Sequence, residues 1–287
     1  MNTRSYLRDI MLTALAPAIW GSTYIVTSQL LPPDRPFTAA LIRVLPAGLL
    51  LLLFTRRMPL RKDLWRLLVL SALNIGVFQA LLFVAAYRLP GGLAAVLGAI
   101  QPLLVMVLTW TVDRRSPAQT TLWASVAGVI GMAMLLLSPQ TVFEPVGITA
   151  AIVGAGCMAT GVWLTRRWKI DLPVLSLTGW QLAIGGLMLA PVAWQMEAAL
   201  PVLTLPQWAA YGYLSLAGAL LAYTLWFRGV ARLPTVAVAS LGLLSPLCAV
   251  GLGWVLLGQS ITGTALAGLV VVLASVFAVQ WKTSRGR

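Results

Sequence analysis

Few side chains in this sequence could do chemistry, and most of those are uncharged. Arg43 is the exception: it lies about two turns inside an apolar run. A guanidinium there can grip a carboxylate through two parallel hydrogen bonds. It can equally snorkel outward, bond helix-end carbonyls and pair with Asp34. Trp20, Thr23, Tyr24 and Thr27 follow i, i+3, i+4, i+7 spacing and share one helix face, suited either to a pathway for aromatic and polar groups or to helix packing. Asn74, Gln79, Gln101 and Gln181 are amides within apolar runs, where hydrocarbon satisfies neither donor nor acceptor, so each must face another helix or a cavity. Asn74 and Gln79 are five residues apart, about 140° around a helix, so they face different points. Trp163 and Tyr223 read as pathway residues or as interfacial anchors.

The missing groups narrow the chemistry further. The seven acids (Asp9, Asp34, Asp63, Asp113, Glu144, Asp171 and Glu197) fall in expected loops or at helix ends, and histidine is absent. A carboxylate proton relay within the membrane, a metal or haem site and other cofactors are therefore not expected. Without clustered carboxylates, histidine or an activated nucleophile, an enzyme is not expected either. Cys157 and Cys248 sit in apolar runs and say nothing of disulfides.

The elements that must position these groups are membrane helices. The chain is 60% hydrophobic and 9% charged, with mean hydropathy +0.91, and apolar runs of about twenty residues recur along it. The periodicity predicts an all-α polytopic membrane protein of ten helices, near 10–31, 37–55, 67–87, 91–112, 120–138, 147–165, 174–196, 207–227, 234–257 and 263–281. The first apolar stretch is too long for a signal core, so no cleavable signal peptide is expected. A net charge of +13 would point to nucleic acid in a soluble protein, but here the positive residues lie between apolar runs. With both termini cytoplasmic, seventeen of the twenty Lys and Arg fall inside, and only Arg35 and Arg88 outside. That bias predicts N-in, C-in and no nucleic-acid partner.

One stretch occurs twice. Arg88–Trp110 and Arg232–Trp254 match at a constant offset of 144 residues, with 10 of 23 positions identical, Pro102/Pro246 and Gly98/Gly242 among them. The halves are therefore read as residues 1–143 and 144–287, five helices each. An odd number of helices per half inverts the second repeat in the membrane. Each repeated proline lies about 18 Å along its expected helix, near the midplane. It should kink the helix, bare the carbonyl of Gly98 or Gly242 beside Gln101 or Ser245, and supply a hinge. The same prolines are also compatible with packing alone. A stripe of small residues, Gly147, Ala151, Ala155 and Ala159, predicts close packing of helix 6.

These residues resemble the drug/metabolite transporter superfamily in its ten-helix form built from two EamA-type repeats. The resemblance rests on Trp20-Gly21-Ser22, Ala39-Ala40-Leu41-Ile42-Arg43, Ala85-Ala86-Tyr87, Pro102, Pro246, Gly128 and Gly131. The family often has Glu after helices 4 and 9, where this chain has Asp113 and Gln259. The resemblance implies a bacterial-type inner-membrane exporter of small metabolites, amino acids including aromatic ones foremost. The expected mechanism is alternating access, facilitative and without a proton relay. A carrier of lipid or nucleotide sugar would want more buried basic residues than Arg43, and a passive channel a continuous polar face. Expected partners are a small-molecule substrate and the bilayer; the sequence sets no oligomeric state and is compatible with a monomer.

Overall fold

The computed structural model describes residues 3–89, 97–137, 144–257 and 263–285. Among them all regular structure is helical, and nine helices are long and apolar enough to cross a membrane. In chain order, with one shorter apolar helix (α4) counted beside those nine, the helices are α1 (Thr3–Leu30), α2 (Pro36–Thr55), α3 (Arg61–Arg88), α4 (Gln101–Thr111) and α5 (Gln119–Leu136). Then come α6 (Pro145–Trp168), α7 (Val174–Met196), α8 (Leu205–Arg232), α9 in two pieces (Thr235–Leu241 and Leu244–Leu257) and α10 (Thr264–Arg285). Gln259 and the expected beginning of helix 4 lie outside the described residues. Helix 1 starts earlier than the sequence predicts, so Asp9 stands within α1 instead of before it.

The helix starts are explained by their residues. α2 opens on Pro36, whose missing N–H costs nothing at a first turn. It has no side-chain cap of its own, and Glu197 supplies one from the end of α7, accepting the Phe37 and Thr38 amides at 2.6 and 2.8 Å. Glu144 caps α6 through the Gly147 amide, and Thr204 with Gln207 forms a capping box for α8.

Lipid tails give helices no hydrophobic reason to associate, so contact depends on close approach. α2 packs along α7 and α5 along α10, while α1 lies against α8 and α9, and α6 against α3 and α4. Exchanging each helix for the one five places on returns the same pairings. Glycines set the distances: a Cβ on Gly186 would fall 2.8 Å from Leu45 Cβ, and one on Gly268 2.5 Å from the Gly131 carbonyl oxygen. The α6 stripe packs as expected at Gly147, which meets Leu89, and at Ala159, which sits with Val105 and Ala239.

The helices depart from regular α geometry in two ways. α3 and α8 each contain a π-helical turn, at Ala72–Gly76 and Leu216–Leu221. The repeated prolines also do more than kink: a turn at Gly242 and Leu243 splits α9, and Pro102 is the second residue of α4, after a turn at Ala99 and Ile100. The expectation of a bare Gly242 carbonyl is corrected. Pro246 removes the amide that would have reached it, and the Ser245 amide takes its place at 3.1 Å.

Candidate functional site

A cavity of about 420 Å3 lies among the helices. It reaches Leu31, Pro33 and Tyr87 and extends to Gln101, Ser245 and Pro246, where α4 begins and α9 is broken. Arg43 is the one charged residue among its described lining.

Trp20-Gly21-Ser22 shows how α1 serves this space. Gly21 lets α1 approach α9 so closely that a Cβ would fall 2.5 Å from the Ser245 carbonyl oxygen. Ser22, on another face, hydrogen-bonds the Tyr213 hydroxyl at 2.6 Å. Trp20 is thereby turned into the cavity, its ring 5.0 Å from Tyr223 and 5.2 Å from Trp226 in tilted contacts. Thr23 and Tyr24 line the same wall.

The π turn of α8 supplies the polar centre. In an α-helix the Ala222 amide would bond the Gly218 carbonyl; here it goes to the carbonyls of Ala217 and Ala219. Gly218 is left free to accept two side chains, Trp20 Nε1 at 2.9 Å and Arg43 Nη2 at 3.2 Å. Arg43 is 2% exposed, so it does not snorkel, and no ion pair joins it to Asp34 or any other acid among the described residues. Its Nε has no hydrogen-bond partner among the described residues, nor do Gln101 Nε2, Trp226 Nε1, Gln79 Oε1 or the Thr23 hydroxyl. Gln79 donates to the Tyr223 hydroxyl, and the two stand 144 positions apart in the chain, the same offset as the sequence repeat.

The structure therefore brings together Trp20, Thr23, Tyr24, Arg43, Gln79, Gln101, Tyr223 and Ser245, with Gly98, Gly242 and Pro246 beside them. Four residues singled out in the sequence, Pro102, Asn74, Gln181 and Trp163, stand apart. Pro102 is buried outside the lining. Asn74 is fully buried against α6 and α7, donating to Gln181 Oε1 at 2.7 Å and Thr165 Oγ1 at 3.3 Å. Trp163 donates to Asp113 Oδ2 at 2.8 Å, under the Arg167 guanidinium. The sequence reading missed Trp226, although it lies one helical turn after Tyr223, and the Gly218 carbonyl, which no residue type announces.

The opposite end is held by charge. Asp9, 1% exposed, pairs with Arg228 at 2.6 Å and Arg232 at 3.5 Å. Asp113 pairs with Arg167, and Arg166 donates to the Leu233 carbonyl. At the Tyr87 end the comparable pair is looser: Arg88 and Glu144 at 3.5 Å, with side chains 53% and 30% exposed.

The model of the EamA-like transporter family matches residues 7–137 and again residues 145–281. Among curated proteins, Protein PecM of Dickeya dadantii is 43% identical over 267 residues, covering 92% of this chain and 90% of that one. The uncharacterized inner membrane transporter YedA of Escherichia coli is 28% identical over 271 residues, 91% and 87% of the two chains. A protein of known crystal structure superposes with a TM-score of 0.79 at 18% identity, covering 97% of this chain and 98% of that one, which shows a shared fold.

Proposed function

The chain belongs to the EamA-like transporter family and is a multi-pass membrane protein, and from that premise we propose that it exports small metabolites across the cytoplasmic membrane by alternating access. Amino acids, aromatic ones among them, are the proposed cargo. The observation that carries this reading is the cavity itself. At about 420 Å3 it suits a small metabolite. Its wall offers aromatic faces beside amides, hydroxyls and a guanidinium, matching a cargo with an apolar body and a polar head.

In the proposed topology both termini are cytoplasmic and the two five-helix halves are inverted repeats. Three observations support it: the charge bias of the connections, the double match to the family model, and helix pairings unchanged by exchanging the halves. The Asp9 end is then cytoplasmic and this conformation faces outward. Transport needs the Asp9–Arg228–Arg232 cluster to part and the Tyr87 end to close, with the breaks at Gly242–Leu243 and before Pro102 as proposed hinges.

The test is flux of labelled amino acids into liposomes holding the purified chain, with and without a pH gradient. Saturable flux that ignores the gradient is expected, since no carboxylate lines the described cavity. Accumulation driven by the gradient would overturn the facilitative mechanism and direct attention to Asp9, the buried acid of the closed end.

A further inference from the structure

We infer that the cavity reads its cargo through a carboxylate and a ring, and that a substrate ammonium contributes nothing to recognition. The inference rests on the proposed transporter function and sharpens its substrate class to aromatic organic anions, with or without an amino group.

Arg43 carries the first part. A guanidinium 2% exposed, bonded to one backbone carbonyl and facing no acid among the described residues, is a buried charge without a counter-charge. Burial of that kind is unfavourable until an anion pairs with it. The guanidinium lines the cavity and its Nε has no partner among the described residues, so the anion that suits it is one that enters there.

The surrounding polar groups point the same way. Trp226 Nε1 and Gln101 Nε2 are donors without partners among the described residues, and Trp226 is 1% exposed. An indole nitrogen can only donate, so it wants an acceptor from the cargo. Two backbone acceptors beside the cavity are already taken. The Gly218 carbonyl holds Trp20 and Arg43, and the Gly242 carbonyl holds the Ser245 amide. Among the described residues Gln79 Oε1 and the hydroxyls of Thr23 and Thr27 remain, neutral acceptors with no negative charge to set against that of an ammonium. The faces of Trp20 and Tyr223 would attract a cation on their own. With Arg43 on the same wall, like-charge repulsion at short range opposes that attraction, and the rings are left to hold an aromatic body.

The experiment is isothermal titration of the full chain in detergent at neutral pH with phenylpropanoate, phenylalanine and phenylethylamine. These three share a ring and differ in carrying the carboxylate alone, both groups, or the ammonium alone. Phenylpropanoate is expected to bind at least as tightly as phenylalanine and more than about tenfold tighter than the amine. Arg43→Gln should weaken the carboxylate by about tenfold or more. If that variant fails to fold, Arg43→Lys, which keeps the charge but loses the fork, should weaken it several-fold. Phenylalanine binding about tenfold tighter than phenylpropanoate would overturn the inference while leaving amino-acid transport standing. Binding of the carboxylate with none of the amino acid supports the inference and removes amino acids from the proposed cargo. Amine binding equal to the carboxylate, or no binding by any of the three, overturns it.

Discussion

Ala72–Gly76 and Leu216–Leu221 begin 144 residues apart, and both shift a membrane helix from i→i+4 to i→i+5 bonding. Position 218 of the second turn is glycine, and its carbonyl gathers Trp20 and Arg43 at the edge of a cavity. The matching position in the first turn is Asn74, which stands outside the lining of that cavity. Its amide bonds Gln181 and Thr165 instead and presses against Gly161, where a Cβ would fall 2.7 Å from Asn74 Cγ. One backbone device thus has two outcomes, and the side chain at a single repeated position separates them. An amide that reaches its neighbours closes the turn, whereas a residue with no side chain leaves the carbonyl to others.

That contrast can be broken experimentally. The largest effect is expected from Gly161→Ala, which places a methyl group against the Asn74 amide in a turn that has no slack. Overpacking of this kind costs about 1–3 kcal/mol, to be seen as a melting midpoint in detergent several degrees lower. An unchanged midpoint would show that the filled turn is looser than its contacts imply. Asn74→Ala should cost somewhat less, about 1–2 kcal/mol, because Gln181 loses its donor in a buried place. Flux per folded molecule should survive that change, and loss of flux at wild-type stability would assign the first turn to the pathway after all. Gly218→Ala should be nearly silent in stability, within about 0.5 kcal/mol, since the new Cβ would stand 3.7 Å from Arg43 Nε in ordinary contact. A melting shift as large as that of Gly161→Ala would erase the distinction between the two turns.

Much of this architecture was legible because the bilayer imposes length. Runs of apolar residues mark helices that must satisfy their own backbone, and most predicted spans agree with α1 to α10 to within a few residues. Arg43 was legible for a related reason, since a charge inside an apolar run must face something. What it faces was not legible. The Gly218 carbonyl becomes available through a register shift in the helix, and the residues Leu216–Leu221 look like any apolar helical segment. Asn74 illustrates the same limit. Its chemistry demanded partners, but only packing decides whether a cavity or a neighbouring helix provides them. The prolines gave the position of the α9 break correctly and the fate of the Gly242 carbonyl incorrectly, because a local turn of i→i+3 bonds heals the gap that the missing amide leaves.

The solitary charge on the cavity wall has an electrical consequence. Arg43 stays with the protein, and no acid lines the described cavity to carry a proton alongside the cargo. An anion bound there would therefore cross the bilayer with its charge uncompensated by the carrier. A cytoplasm held negative expels such a traveller, at about 2.3 kcal/mol for each 100 mV. The membrane voltage alone would then drive export of an anion, and a zwitterion would gain nothing from it.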